Sequence, residues 1–429
     1  MIQRRCLIGA ARFVIIGLLL NAHGAGVPSA AAQSTVEQVQ TILREANALK
    51  DQGRWAETIT ALDRAIGLDP KSALAYIDRS IAQRALGQWD QALADAEKAV
   101  ELAPALAKAY SNRGTTYRRR GDLDRALRDA DRAIELDPND PVGWDHRAAT
   151  HSSLGAYDKA VSDATKAIEL DPRMALAYES RALALNELRQ HERALADANK
   201  AIELQPSYMP AYIQRAIANG MLKRHEDALT DANRAIELAP RFAYSYLVRA
   251  RTYGGLGRLK NAIADASKAI ELDPKMSDAY SVRAVVFADL GQNDRAIADA
   301  TKALELDPKQ ALAYGARARA LRRLGQLERA VADATRSIEL NSLDSNVYET
   351  RGVAYLQLRE YEKALFDINR TVELDPANVG AILNRGAAYL GLYREREAEA
   401  DFQTALSRGM NPAQVEGLKE AVKRMRPAK

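Results

Sequence analysis

The stretch SDAYSVRAVVFADLGQNDRAIADATKALELDPKQ, Ser277 to Gln310, is repeated along nearly the whole chain. It is 34 residues long and recurs without insertion or deletion, so its closing proline marks a regular grid: Pro70, Pro104, Pro138, Pro172, Pro206, Pro240, Pro274, Pro308 and Pro376. Within that grid only position 342 lacks a proline and holds Ser342. A fixed period of this length predicts a stacked repeat protein, because each unit buries its apolar face only against its neighbours.

Each unit has the pattern of two helices joined by a turn. The first helix is indicated by a face with spacing i, i+3, i+4, i+7, formed by Tyr280, Arg283, Ala284 and Phe287. The second helix is indicated by small residues at helical spacing: Ala296, Ala300 and Ala303. Gly291 separates the two, and Pro308 ends the second because the residue before a proline avoids helical backbone angles.

This arrangement of an aromatic, a small residue, a central glycine, two alanines and a proline resembles the tetratricopeptide repeat. The resemblance covers eleven repeats, residues 39–412, and implies an all-α fold, a right-handed superhelical α-solenoid of antiparallel helix pairs. We expect residues 413–429 to form a capping helix and a loose tail. Asn411 suits the N-cap and Pro412 the first helical position of that helix.

The first 32 residues have the composition of a secretory signal. Three arginines (Arg4, Arg5 and Arg12) precede the apolar run Phe13 to Leu20, and Ala30-Ala31-Ala32 supplies a cleavage sequence. We therefore expect a signal peptide at 1–32, a polar lead-in at 33–38 and a periplasmic protein that is not an integral membrane protein once processed. The alternatives are an uncleaved signal that tethers the chain to the membrane and, from Arg4-Arg5, export by the twin-arginine rather than the Sec route.

Composition argues against several classes of function. The three signal arginines account for most of the net charge of +4, so the remainder is close to neutral and does not predict nucleic-acid binding. Cys6, the sole cysteine, lies in the signal, which leaves no disulfide. No metalloprotease, P-loop or nucleophile-elbow motif occurs. His191 and His225 occupy one repeat position and are interpreted as packing residues. We expect no catalytic residues, cofactor or metal.

An arginine at the seventh and an aspartate at the twenty-third position recur in ten repeats. Because the helix hairpin folds about its middle, each arginine can reach the aspartate of its own repeat. We interpret these residues as structural ion pairs, exemplified by Arg215 with Asp231 and Arg283 with Asp299, rather than as a ladder for an anionic polymer.

The resemblance implies that positions 2, 5, 9, 12 and 13 of the first helices line a concave groove. There we expect a partner-binding site with an apolar step and basic clusters around it. The apolar step is Ile213, Ile217, Met221 and Leu247, with Gly220, Gly254 and Gly255 leaving room for a ligand backbone. The basic residues are Arg84, Arg118, Arg119, Arg251, Arg319, Arg322 and Arg323.

The groove lacks the carboxylate clamp of cytosolic co-chaperones with this repeat type. Ile77 and Ile81 stand where that clamp has lysine and asparagine, and only Asn112 matches. We therefore expect a non-enzymatic scaffold or adaptor of the bacterial cell envelope that captures peptide or helix segments in its groove. The alternative is a carrier or assembly factor for anionic envelope polysaccharide, bound through the groove arginines.

Overall fold

The computed structural model describes residues 30–425, without the side chains of 30–33 and 425, and these residues form helices and turns only. They divide into two compact units, one ending at Pro172 and the other beginning at Arg173. The first unit contains α1 (Ala30–Asp51), α2 (Trp55–Leu68), α3 (Ala73–Ala85), α4 (Trp89–Leu102), α5 (Ala107–Arg119), α6 (Leu123–Leu136), α7 (Pro141–Ser153) and α8 (Tyr157–Leu170).

The second unit continues with helices of 13 or 14 residues each. Its elements are α9 (Ala175–Glu187), α10 (His191–Leu204), α11 (Met209–Met221), α12 (His225–Leu238), α13 (Ala243–Gly255), α14 (Leu259–Leu272), α15 (Ser277–Asp289), α16 (Asn293–Leu306), α17 (Ala311–Arg323), α18 (Leu327–Leu340), α19 (Ser345–Gln357), α20 (Tyr361–Leu374), α21 (Val379–Gly391), α22 (Glu395–Ser407) and α23 (Pro412–Met425). In both units, odd- and even-numbered helices pair as hairpins that stack on their neighbours. This is the α-solenoid architecture that the period predicts.

Alanine is the main core residue of the hairpins. In the repeat that starts at Ser277, Ala296, Ala300 and Ala303 of α16 are all completely buried, as is Ala284 of α15. Small side chains let the two helix backbones approach closely, which explains why a chain with 6% aromatic residues can still pack its hairpins tightly.

The loop between repeats is fixed by an aspartate or asparagine and an aromatic residue. Asp69 Oδ1 accepts a hydrogen bond from the Lys71 amide at 3.0 Å, the side-chain turn that short polar residues favour. Asn341 makes the same bond to the Leu343 amide at 3.2 Å, which accounts for the regular turn at the repeat without proline. In other repeats the aromatic at position 4 donates to the loop, as from Tyr246 Oη to the Pro240 carbonyl at 3.1 Å.

The two chain ends differ from the inner repeats. Residues 33–38, expected as a polar lead-in, belong to α1, which begins at Ala30. At the other end α23 packs on α21 and α22, with Val415 and Val422 buried among residues of the last repeats, and so covers the final hairpin. The predicted tail at 426–429 and the signal up to residue 29 lie outside the described residues. Between residues 30 and 425, no helix combines the length and the apolar character needed to cross a bilayer.

Candidate functional site

The recurring arginines and aspartates form an internal ladder of ion pairs. In ten repeats the seventh-position arginine lies 2.6–2.8 Å from the aspartate of its own repeat. Arg215 Nη2, for example, is 2.6 Å from Asp231 Oδ1, and Arg283 Nε is 2.7 Å from Asp299 Oδ2. Nine of the ten aspartates are buried, with Asp231 only 3% exposed. These charges are used inside the stack and are not available to a ligand.

The same arginines also reach the preceding repeat. Arg215 Nη1 donates to Asn199 Oδ1 at 2.9 Å, and Arg249 Nη1 donates to Asn233 Oδ1 at 2.9 Å. Each acceptor lies 16 residues before the arginine, on the second helix of the previous repeat. This second bond was not predicted from the sequence. A small polar residue two positions after eight of the ten aspartates could have indicated it.

The apolar step expected at the groove is in large part a buried core. Ile213 is 3% and Leu247 0% exposed, because position 5 of each first helix packs against the neighbouring repeats. The prediction that these two side chains face water is therefore wrong. Ile217 is half-buried against the same core, and only Met221, 55% exposed, lies on the surface.

The three glycines beside that step also differ from one another. A Cβ at Gly255 would lie 2.5 Å from Cε1 of His225, so the ring of His225 already occupies this space. Gly220 and Gly254 have nothing within 4 Å of a Cβ and do leave open surface. His225 is thus a packing residue, as expected, and the described residues contain no cluster of metal-ligating side chains.

An open cavity next to Gly254 forms an apolar groove that was not predicted from the sequence. It has a volume of about 360 Å³ and lies between α13, α15 and α17, the first helices of three successive repeats. We call it the apolar groove; its lining residues are Ala250, Arg251, Gly254, Leu259, Val282, Val285, Val286, Asp289 and Leu312. Leu312 is 38% exposed and Val285 half-buried. Gly254, Val285 and Leu312 occupy the predicted groove positions 12, 9 and 2. These positions could have indicated the groove from the sequence.

A second cavity of about 360 Å³ lies between α17, α19 and α21 and is basic. We call it the basic pocket; its lining residues are Arg319, Arg322, Arg323, Asn346, Glu349, Thr350, Val353 and Asn384. Three of the seven predicted groove arginines therefore meet here. Burial lowers the pKa of Arg322, and the neighbouring cations Arg323 and Arg319 lower it further, against an opposing effect of Glu349.

The other predicted arginines lie elsewhere. Arg251 is at the rim of the apolar groove, where its Nη2 is 3.3 Å from Asp278 Oδ2. Arg84 is in the first unit, and its Nη1 donates to Asn112 Oδ1 at 2.6 Å and to Thr116 Oγ1 at 2.9 Å. Burial away from carboxylates lowers the pKa of Arg84 to about 10, with Arg119 and Arg118 as lesser causes. Asn112, the one match to the clamp, is thereby engaged within the stack.

Comparison with known proteins agrees with this architecture. Family models described as tetratricopeptide repeat match residues 43–104, 107–140, 148–208, 247–311, 300–332 and 345–378. The solved APC/C hetero-tetramer Cut9-Hcn1 is similar with a TM-score of 0.55 and 13% identity over 91% of each chain. A tetratricopeptide repeat protein of Parabacteroides merdae also matches, with a TM-score of 0.43 and 20% identity over 66% of this chain and 99% of that one. Yeast Tom70 matches with a TM-score of 0.40 and 17% identity over 91% of this chain and 96% of that one. No curated protein matches the sequence.

Proposed function

The chain belongs to the tetratricopeptide repeat family, whose fold suggests a protein-protein interaction scaffold, and we propose that it binds a segment of another protein at the apolar groove. The observation that carries this proposal is the open apolar surface between α13, α15 and α17. Such a scaffold needs no catalytic group, and its role is to hold the bound segment in place.

The groove has the size and chemistry for one large apolar side chain. Its volume of about 360 Å³ is at the lower end of the range for ligand sites. Leu312 and Val285 lose contact with water only when a partner covers them, and each square ångström of apolar surface then contributes about 25 cal/mol. A leucine- or phenylalanine-sized side chain of an extended peptide or an amphipathic helix fits this description.

Binding of an anionic polysaccharide is less well supported, because the arginines of the second unit do not form a continuous row of unpaired charges. Arg251 is paired with Asp278, Arg319 with Asp289, and Arg323 donates to the Ala288 carbonyl. A polymer held by arginines would also dissociate steeply as ionic strength rises, whereas apolar contacts persist.

The substitution Leu312→Asp tests the proposed site. Leu312 is partly exposed in the first turn of α17, where an acidic residue is compatible with the helix dipole, so the fold should be retained. Leu74→Asp is the matched control, since Leu74 has the same repeat position and is 44% exposed outside the groove. We expect Leu312→Asp to melt like the native protein and to lose the proteins that the native chain recovers from envelope extracts. Equal recovery by both variants would contradict the site.

The bacterial cell envelope is the proposed location, supported by the basic start and the apolar run Phe13 to Leu20. N-terminal sequencing of the protein from a periplasmic fraction should give a start near Gln33. An intact Met1, or protein found only in the cytosol, would contradict export with cleavage near Ala32.

A further inference from the structure

The basic pocket contains a cationic donor that the protein itself leaves unsatisfied. Arg319 forms an ion pair with Asp289, and Arg323 donates to the Ala288 carbonyl, so both guanidinium groups are held by α15. Arg322 lies between them on α17, and its Nε is buried without a hydrogen-bond partner. A buried donor on a charged group is unfavourable until an acceptor reaches it.

Glu349, which lines the pocket, does not accept a hydrogen bond from Arg322 Nε. Glu349 stands across from Arg322 on α19, but its Oε2 accepts a hydrogen bond from Asn378 Nδ2 at 3.0 Å, which orients the carboxylate towards the start of α21. With Asp289 paired to Arg319 and Glu349 at the wall, three cations stand against two carboxylates, which leaves one excess positive charge. Asn346 and Asn384 add amide groups at its wall, so an incoming oxyanion would meet donors from three helices.

The pocket adjoins the apolar groove along the stack. Asp289 lines the groove and forms the ion pair with Arg319, which lines the pocket. The helices that carry the two cavities pack in sequence, α15 on α17 and α17 on α19. The middle helix of the groove is α15 and that of the pocket is α19, which is two helix spacings away. Since packed helices lie roughly 8–10 Å apart, the centres of the two cavities are about 16–20 Å apart. An extended peptide spans that distance with about five to six residues.

From this arrangement we propose that the basic pocket binds the carboxylate of an acidic side chain that lies about five to six residues from the apolar anchor of the same captured segment. The inference rests on the proposed function, since it assumes that a protein segment occupies the apolar groove. It specifies the segment: one large apolar residue and one aspartate or glutamate at this spacing. The planar guanidinium of Arg322 suits a carboxylate because it can offer two parallel N–H donors.

A displayed library of random twelve-residue peptides, selected against the purified protein, tests both the apolar anchor in the groove and the acidic residue in the basic pocket. The native protein should enrich peptides with a large apolar residue and an acid about five to six positions away. Arg322→Gln should still enrich the apolar residue but no longer the acid. The control Arg329→Gln, in which an exposed arginine bonded to Gln326 is changed, should select like the native protein. Leu312→Asp should abolish the apolar preference.

The affinities of one selected peptide and of its amide variant are then measured for the native protein and for Arg322→Gln. Replacing the peptide's acid by its amide should weaken binding to the native protein about tenfold and to Arg322→Gln less than about twofold. Equal weakening in both proteins, or apolar enrichment without any acid preference, would overturn the inference and leave the proposed function intact. A preference for phosphoserine over glutamate would also overturn it. The absence of any enriched peptide would contradict the inference and the proposed function together.

Discussion

At the scale of single residues, the seventh-position arginine connects three parts of the stack. Arg215 binds Asp231 of its own repeat and Asn199 of the preceding one, and its guanidinium lies 5.5 Å from the ring centre of Tyr212. An arginine can make these contacts together because its donors are fixed in a planar fork and its face stacks on aromatic rings. Partly buried pairs of this kind fix the register of neighbouring elements more than they add net stability.

The contributions of Arg215 and Asp231 to the free energy of unfolding should be coupled. Arg215→Met leaves the buried Asp231 unpaired and should lower the free energy of unfolding by about 1–3 kcal/mol. Adding Asp231→Asn should recover much of that loss, measured by denaturant titration of the single and double variants. Arg234→Met is the control, because its pair with Glu237 is exposed and worth little. Simple additivity in the double-mutant cycle would contradict the pairing.

His146 should make the protein sensitive to acid. Burial lowers the pKa of His146 to about 4, and the positive charges of Arg118 and Arg84 lower it further. The folded state therefore holds the neutral ring, while the unfolded chain takes up a proton as the pH falls below about 6.5. The stabilisation is full above pH 6.5 and should decrease by about 2–3 kcal/mol towards pH 4.

The variant His146→Gln isolates this contribution. It should show a smaller loss of unfolding free energy between pH 7 and pH 4.5 than the native protein, by denaturant titration at both pH values. The same loss in the variant would mean that other groups cause the acid sensitivity.

At the scale of helices and turns, glycine has two separate uses. At position 15 it supplies a positive φ that ends the first helix, as at Gly257 with φ of 68°. Arg189, Lys223, Arg359 and Tyr393 adopt the same region without being glycine. At position 13, Gly255 instead leaves space for the ring of His225 from the preceding repeat. The neighbouring Gly254 serves neither purpose, and its missing side chain opens the apolar groove.

Alanine at these two adjacent positions should therefore have opposite effects. Gly254→Ala meets nothing within 4 Å and should stabilise the protein by about 0.5 kcal/mol through helix propensity. Gly255→Ala places a Cβ against His225 and should destabilise it by about 1–2 kcal/mol. Thermal melts of the two variants, with Gly255→Ala repeated in a His225→Ala background, measure the difference. Equal effects of the two alanines would contradict the packing of His225 at Gly255.

The sequence predicts the helices well and the groove only in part. The proline grid and the helical spacing indicate every hairpin, since each repeat buries the same positions in the same way. Position 5 shows the limit: Ser281 and Gly315 hold the same position as Ile213 and Leu247, and all four are buried although their residue types differ. Burial there is set by packing against the neighbouring repeats, which residue type alone does not indicate. The apolar groove exists because Gly254, Val285 and Leu312 come together from three repeats, a combination that no single repeat displays.

At the scale of the whole molecule, the chain combines nearly uniform second helices with variable first helices. The second helices build the stack, and their recurring aspartates form ion pairs with the seventh-position arginines. The variable part leaves two adjoining cavities in the second unit, one apolar and one basic. The proposed role of this face is to hold a segment of another protein.

The most direct test is site-specific photo-crosslinking in the cells that make the protein. A photoreactive amino acid at Leu312 should form adducts that contain a partner polypeptide, identified by mass spectrometry of the crosslinked peptides. The same group at Phe366, 71% exposed on a second helix, should not form them. Adducts with protein at 312 and none at 366 are the predicted result. No protein adduct at 312, equal adducts at both positions, or adducts with carbohydrate alone would contradict the account.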